Sequence, residues 1–89
     1  MSADRVAKIR ERLQEQLTPV ALDIEDQSAL HAGHTGANGR GHFAVRIVSD
    51  RFRGKNRIER HRMVYQALAD AMQTDIHALS IQPLTPDEQ

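Results

Sequence analysis

Residues 52–65 read Phe52-Arg53-Gly54-Lys55-Asn56-Arg57-Ile58-Glu59-Arg60-His61-Arg62-Met63-Val64-Tyr65, and the rest of the chain is arranged around them. The Asn56 side chain can accept a hydrogen bond from a free amide of a first helical turn, and Glu59, three residues later, can reach back. This capping-box pattern predicts a helix that starts just after Asn56, with Gly54 permitting a sharp turn before it. Arg57, Arg60 and Arg62 then crowd a helix end that already carries partial positive charge. Carboxylates such as Glu59 or Asp50, or an anionic partner, must offset them.

After this helix, predicted over 57–73 with Ile58, Val64, Tyr65, Leu68 and Met72 as its apolar stripe, comes a strand over 76–82. Before it, residues 42–49 alternate: Phe43, Val45 and Ile47 on one face, Ala44, Arg46 and Val48 on the other. That is the clearest strand. Asp50 to Lys55 reads as a turn with a short helical piece. A glycine-rich loop over 28–41 precedes the strand. Earlier still, Leu22 and Ile24 alternate with Asp23 and Glu25 in a strand over 20–26. Residues 2–17 place Val6, Ile9, Leu13 and Leu17 at helical spacing, and Pro19 pushes Thr18 towards an extended conformation that stops this helix.

The order is helix, strand, strand, helix, strand. It predicts an α+β fold: one domain over 1–89 with a three-stranded mixed sheet and both helices on one face. The third strand lies parallel to the second through a right-handed crossover. Pro83 and Pro86 end regular structure, and residues 83–89 are expected to form a loose tail.

At 89 residues, with two Phe, one Tyr and no Trp, the core is thin and aliphatic. Net charge is zero, yet Arg40, Arg46, Arg51, Arg53, Lys55, Arg57, Arg60 and Arg62 stand against only Asp50 and Glu59 in the middle of the chain. Such a basic segment suits nucleic acid, a phosphate or an acidic protein, or is one solvated face. There is no Cys, which excludes disulfides, thiol catalysis and a thiolate metal site supplied by this chain alone. No apolar run approaches the roughly 20 residues that span a bilayer, and the first residues do not read as a signal peptide. No membrane association and a cytoplasmic location are expected.

The histidines are His31, His34, His42, His61 and His77. One by one, each reads as a structural or surface residue. His31 and His34 form a His-x-x-His pair on the loop. If the second and third strands are parallel neighbours, the loop and His77 meet at one sheet end. A loop histidine and His77 can then present two metal-binding nitrogens, leaving the other ligands to a partner. No Asp or Glu stands at helical spacing from the pair, and no nucleophile elbow is visible, so no hydrolase and no enzymatic activity is expected.

Four segments resemble the BolA family at matching separations. They are Leu22 to Ser28, His42 to Ser49 followed by Asp-Arg-Phe-Arg-Gly, Arg60-His61-Arg62-Met63-Val64-Tyr65, and His77-Ala78-Leu79-Ser80-Ile81 before Thr85-Pro86. The resemblance implies a fold similar to class II KH domains and a heterodimer with a monothiol glutaredoxin. It further implies a [2Fe–2S] cluster bridged between the two proteins, with the glutaredoxin cysteine and glutathione on one side. On this side the implied ligands are His77 and a loop residue, His31 being the better match and His34 the rival. Arg53, Lys55, Arg57, Arg60, His61 and Arg62 are the implied docking surface. Alone, the chain is expected to hold no cluster and to be a monomer or weak homodimer. The alternative is a transcriptional regulator that binds DNA through the Arg51–Arg62 region. The Gly-x-x-Gly clamp of KH domains is absent from it, since Gly54 stands alone.

Overall fold

The computed structural model describes residues 2–27 and 41–89, with side chains from Asp4 onward. Helix α1 (Ser2–Leu17) is followed by strand β1 (Ala21–Asp26), strand β2 (Gly41–Val48), a 3₁₀ turn over Asp50–Phe52, helices α2 (Arg57–Ala67) and α3 (Ala69–Thr74), strand β3 (Ile76–Leu84) and a second 3₁₀ turn over Pro86–Glu88. The sheet order is β1-β2-β3. β1 runs antiparallel to β2, with Leu22 opposite Ile47 and Ile24 opposite Val45. β3 runs parallel to β2, with Phe43 beside Leu79 and Val45 beside Ile81. This is the mixed three-stranded α+β architecture expected from the element order.

One core explains the arrangement. Ile9, Leu13 and Leu17 of α1, Phe43, Val45 and Ile47 of β2, Val64 and Leu68 of α2, Ala71 of α3 and Ile76 of β3 are all buried in a single cluster. All three helices therefore cover the same sheet face. On the other face Asp23, Glu25, Ala78, Ser80 and Gln82 are exposed. Each apolar stripe meets another, which is what makes a two-layer domain of this size possible.

Three local expectations are corrected. The predicted helix over 57–73 breaks at Leu68 (φ −105°, ψ 16°), whose amide is shared between the Val64 and Tyr65 carbonyls at 3.1 and 3.2 Å. The inward row of α2 runs Arg60, Val64, Ala67 and Leu68, about a hundred degrees from Ile58 and Tyr65 at 3.6 residues per turn. Those two are consequently 68% and 40% exposed rather than core. Thr18 does not extend before Pro19. It takes a left-handed conformation (φ +40°) and closes α1 by donating its N–H to the Gln14 carbonyl at 3.2 Å, the one-residue reversal that often ends helices.

The third correction is the tail. β3 continues through Pro83 to Leu84, because an edge strand tolerates a missing N–H. Thr85 is then buried and caps the Pro86–Glu88 turn, with Glu88 accepting from the Thr85 amide at 2.8 Å.

Ser49 joins four elements. Its buried hydroxyl donates to the Leu17 carbonyl at 2.6 Å and accepts from the Arg51 amide at 3.1 Å. Its own N–H donates to the Leu84 carbonyl at 2.9 Å. The end of α1, the end of β3 and the 3₁₀ turn are thus all tied to the residue that follows the central strand. Ser49→Ala removes the side-chain bonds and strands a buried carbonyl, which costs about 1–3 kcal/mol. A melting midpoint lowered by at least roughly 4 °C, read by circular dichroism, is the expected result; an unchanged midpoint makes the contact incidental.

Candidate functional site

The start of β3 carries a bulge. Gly41 pairs with Ile76 and His42 with Ala78, so His77 is the extra residue between the two pairs. Ile76 points into the core, and His77 and Ala78 are both exposed. Regular alternation cannot place two consecutive side chains outward; an inserted residue can. The bulge is anchored from behind. The Gly41 N–H donates to the Asp75 carbonyl at 2.8 Å and the Asp75 N–H to the Ala71 carbonyl at 2.8 Å. The Asp75 carboxylate meets Lys8 Nζ at 2.8 Å and Arg5 Nε at 3.7 Å. The Lys8 hydrogen bond, opposed by partial burial and helped by the Thr74 hydroxyl, holds Asp75 below the ordinary carboxylate range. His77 therefore stands on a fixed backbone while its ring faces out. The His42 ring lies alongside it, centroids 5.1 Å apart and planes tilted by 56°.

Residues 28–40, with His31 and His34, lie outside the described residues. Their connection is fixed at both ends. Gln27 N–H donates to the His42 carbonyl at 2.7 Å, and the segment rejoins the sheet at Gly41, beside Ile76. The loop therefore leaves and returns at the same sheet end as His77, as parallel pairing of β2 and β3 requires.

The basic residues are placed differently. Asn56 and Glu59 form the predicted capping box, with both bonds at 2.8 Å, and Gly54 takes φ +74°. Arg53 donates to Asp50 at 2.7 Å and to Asp87 at 2.5 Å, and these bonds, Asp87 first, favour its charged form further. Arg60 is only 14% exposed. It donates to both Glu88 carboxylate oxygens at 2.6 and 3.2 Å, to the Lys55 carbonyl at 2.9 Å and to the Pro83 carbonyl at 3.2 Å. Its guanidinium lies over Phe52, 6.0 Å from the ring centroid. The charge at the helix start is thus offset from within the chain, by the segment expected to be loose.

Lys55, Arg57 and Arg62 remain exposed. His61 Nδ1 lies 2.8 Å from the Arg57 carbonyl and donates along the helix. Arg60 bonds at Pro83, six residues along β3 from His77 and hence about 20 Å away at 3.3 Å per residue. Arg53 and Arg60 and the His77 end do not form one site.

Three residues escaped the sequence reading. Glu88 and Asp87 had a signal: Arg60 sits four residues before Val64 on the inward row, where a cation needs an internal partner. His42 had one too. Ile76 and Leu79 are both apolar and three apart, which no regular strand can bury on one face, so an inserted residue beside His42 was readable.

The fold is that of a small α+β domain that displays imidazoles at one sheet end. Residues 13–88 match the family model described as BolA-like protein, and the chain belongs to the BolA-like family. It is 49% identical over 89 residues to "Protein BOLA1, chloroplastic" of Arabidopsis thaliana, covering 96% of this chain and 56% of that protein. It is 42% identical over 84 residues to the "DNA-binding transcriptional regulator BolA" of Escherichia coli K12, covering 90% and 78%. The solved BolA domain of SufE1 from Arabidopsis thaliana superposes with a TM-score of 0.83 at 48% identity, covering 93% of each chain. The chain spans little more than half the length of the Arabidopsis BOLA1 protein.

The Arg60–Glu88 pair yields a pH prediction. The Arg60 hydrogen bond first, with the Thr85 amide, pulls Glu88 from an ordinary 4.5 down to about 2. A depressed carboxylate stabilises the fold above its unfolded pKa and loses that contribution as pH falls through the folded value. The tail clasp is therefore complete above about pH 4.5 and released towards pH 2. Carboxyl NMR of Glu88 should titrate near the lower value, and Arg60→Gln should return it towards the upper one.

Proposed function

We propose that this chain is a non-enzymatic partner protein that offers His77 to a [2Fe–2S] cluster held jointly with a monothiol glutaredoxin and glutathione. The observation that carries the reading is an exposed histidine set outward by a bulge, beside the point where residues 28–40 re-enter the sheet. The donor set fits half of such a site. Among the described residues no three His, Asp or Glu side chains gather into a complete metal shell, and the chain has no Cys, so another molecule must supply the thiolates. The bound cluster supplies transferable iron and sulfide or a redox couple, and imidazole ligation of the Rieske type raises that couple's potential. The chain's own part is to hold His77 on a rigid strand start and bring a second ligand from the loop, His31 or His34. That division suits cluster trafficking or iron and redox sensing.

A second reading, DNA binding, draws on the name of the Escherichia coli relative and on Lys55, Arg57 and Arg62 at the start of α2. It is weakened by the commitment of Arg53 and Arg60 to Asp50, Asp87 and Glu88. Among the described residues no helix is long and apolar enough to cross a membrane. The Arabidopsis BOLA1 relative is named chloroplastic, so the cytoplasmic location expected from the sequence has no support from that relative.

Mixing the protein with a monothiol glutaredoxin, iron, sulfide and glutathione should produce a visible absorption and circular dichroism spectrum distinct from that of glutaredoxin alone. His77→Ala should abolish that difference; an identical spectrum removes His77 from the ligand set. For DNA, three engaged cations predict a slope of log affinity against log salt of about −2.7. A flat salt profile rules out phosphate-driven binding.

A further inference from the structure

We propose that Arg53, Arg60 and the hollow beside them form a docking groove for an acidic segment of a partner protein that also carries an aliphatic side chain. Asp87 and Glu88 are its resident, displaceable occupants. The groove lies at the Pro83 end of β3, remote from His77, so the inference goes beyond the cluster reading and does not rest on it.

The chain's own carboxylates show what the site accepts. Arg60 grips both oxygens of Glu88, at 2.6 and 3.2 Å, the fork in which guanidinium and carboxylate match. Arg53 holds the neighbouring Asp87 at 2.5 Å. Two adjacent acidic residues thus fill two cation positions at once. The cations do not depend on them for their place. Arg60 is also fixed by the Lys55 and Pro83 carbonyls at 2.9 and 3.2 Å, with its guanidinium over Phe52. Arg53 keeps Asp50 at 2.7 Å. When Asp87 and Glu88 swing away, two positioned guanidinium groups remain.

Closure is the resting state, since Arg60 and the Thr85 amide favour ionised Glu88. It is nonetheless a surface contact. The Asp87 and Glu88 side chains are 73% and 43% exposed, and exposed ion pairs contribute little to stability. No residue of the Pro86–Glu88 turn is buried, so the turn can open without disturbing the core. Beside Glu88 lies a hollow of about 410 Å³, apolar at Ile81, Pro83 and Leu84 and basic at Lys55, Arg57 and Arg60. Of the turn, only Glu88 lines it. Among the described residues no carboxylate pairs with Lys55 or Arg57. The turn therefore leaves two cations and the apolar lining unused.

That surplus identifies the partner. The turn acts at an effective concentration of order millimolar, so a lone carboxylate such as acetate does not displace it. A segment that replaces both carboxylates, pairs with Lys55 and Arg57 and seats an aliphatic side chain does. A nucleic-acid backbone offers the charge but nothing for the apolar lining.

The test measures fluorescence anisotropy of a labelled peptide, Asp and Glu residues around a single Leu, at low salt. A turn closed about nine-tenths of the time weakens apparent affinity about tenfold. Asp87→Asn/Glu88→Gln should therefore bind the peptide about tenfold more tightly than the parent. Lys55→Gln/Arg57→Gln removes no ion pair of the fold and should weaken binding about fivefold. In the parent, millimolar peptide should shift the Thr85 amide resonance, because that amide loses the Glu88 oxygen it meets at 2.8 Å. This readout needs no variant, and it decides the matter if neutralising the turn lowers stability. Equal affinity in parent and neutralised turn, an unmoved Thr85 amide, or indifference to Lys55 and Arg57 would each overturn the proposal. So would a DNA duplex of equal charge that gains as much as the peptide, or acetate that shifts the Thr85 amide at the same carboxylate concentration. No glutaredoxin, iron or sulfide enters the measurement, so its failure leaves the cluster reading standing.

Discussion

A β-strand turns every second side chain to the same face, and β3 cannot obey that rule and still bury its apolar residues. Ile76 and Leu79 are separated by an odd number of positions, yet both face the helices. One inserted residue resolves the conflict, and it is His77. The consequence runs in two directions. Inward, Ile76 closes the core beneath α1 and α3, and Leu79 and Ile81 continue it in register with Phe43 and Val45. Outward, an imidazole is displayed on backbone held by Gly41, Asp75 and Lys8. Packing the core and displaying the imidazole are therefore a single event.

Much of this architecture was readable in the residues. Periodicity in residues 2–17, 42–49 and 76–82 fixed the element order, and the Asn56–Glu59 pair placed the second helix start to the residue. What escaped reading depended on three-dimensional phase. The stripe assigned to the second helix included Ile58 and Tyr65 because both are apolar. The inward row is set instead by where α2 crosses β3, which no local pattern contains. The tail was misread for a similar reason. Pro83 and Pro86 break regular structure in isolation, but Arg53 and Arg60 come from a distant stretch of the sequence, and only folding brings them to the Pro83 end of β3, beside Asp87 and Glu88. The loop histidines were found by spacing and by resemblance, and they lie outside the described residues; His42 was passed over because a strand-opening histidine has no local signature of function.

The basic segment also looks different once folded. By count it is an anion-binding surface, but its two most constrained arginines are already satisfied by carboxylates from the last residues. An incoming anion at Arg53 or Arg60 would compete with Asp87 and Glu88, whose bonds are preorganised by the Thr85 cap. Of the exposed cations, Arg57 and Arg62 lie beside the exposed Ile58 and Tyr65 on the outer side of α2. A mixed surface of this kind suits a protein partner with both apolar and acidic groups better than it suits a nucleic-acid backbone, which offers charge but little grease.

Among the described residues, β1 lies at one border of the sheet, with no other strand paired along its outer side. Such a border is a template for another chain to stack onto, and long flat borders seed fibres. Here the border strand reads Ala-Leu-Asp-Ile-Glu-Asp. Asp23 and Glu25 project from its outer face, so a second copy laid alongside would set like charges against one another. Arg10 reaches over from α1 to the Leu22 carbonyl at 3.4 Å, occupying one rung of the ladder. The opposite border is protected by Pro83, which has no hydrogen to give, and by the kink at its start. The acidity of β1 thus works against another copy stacking along this border.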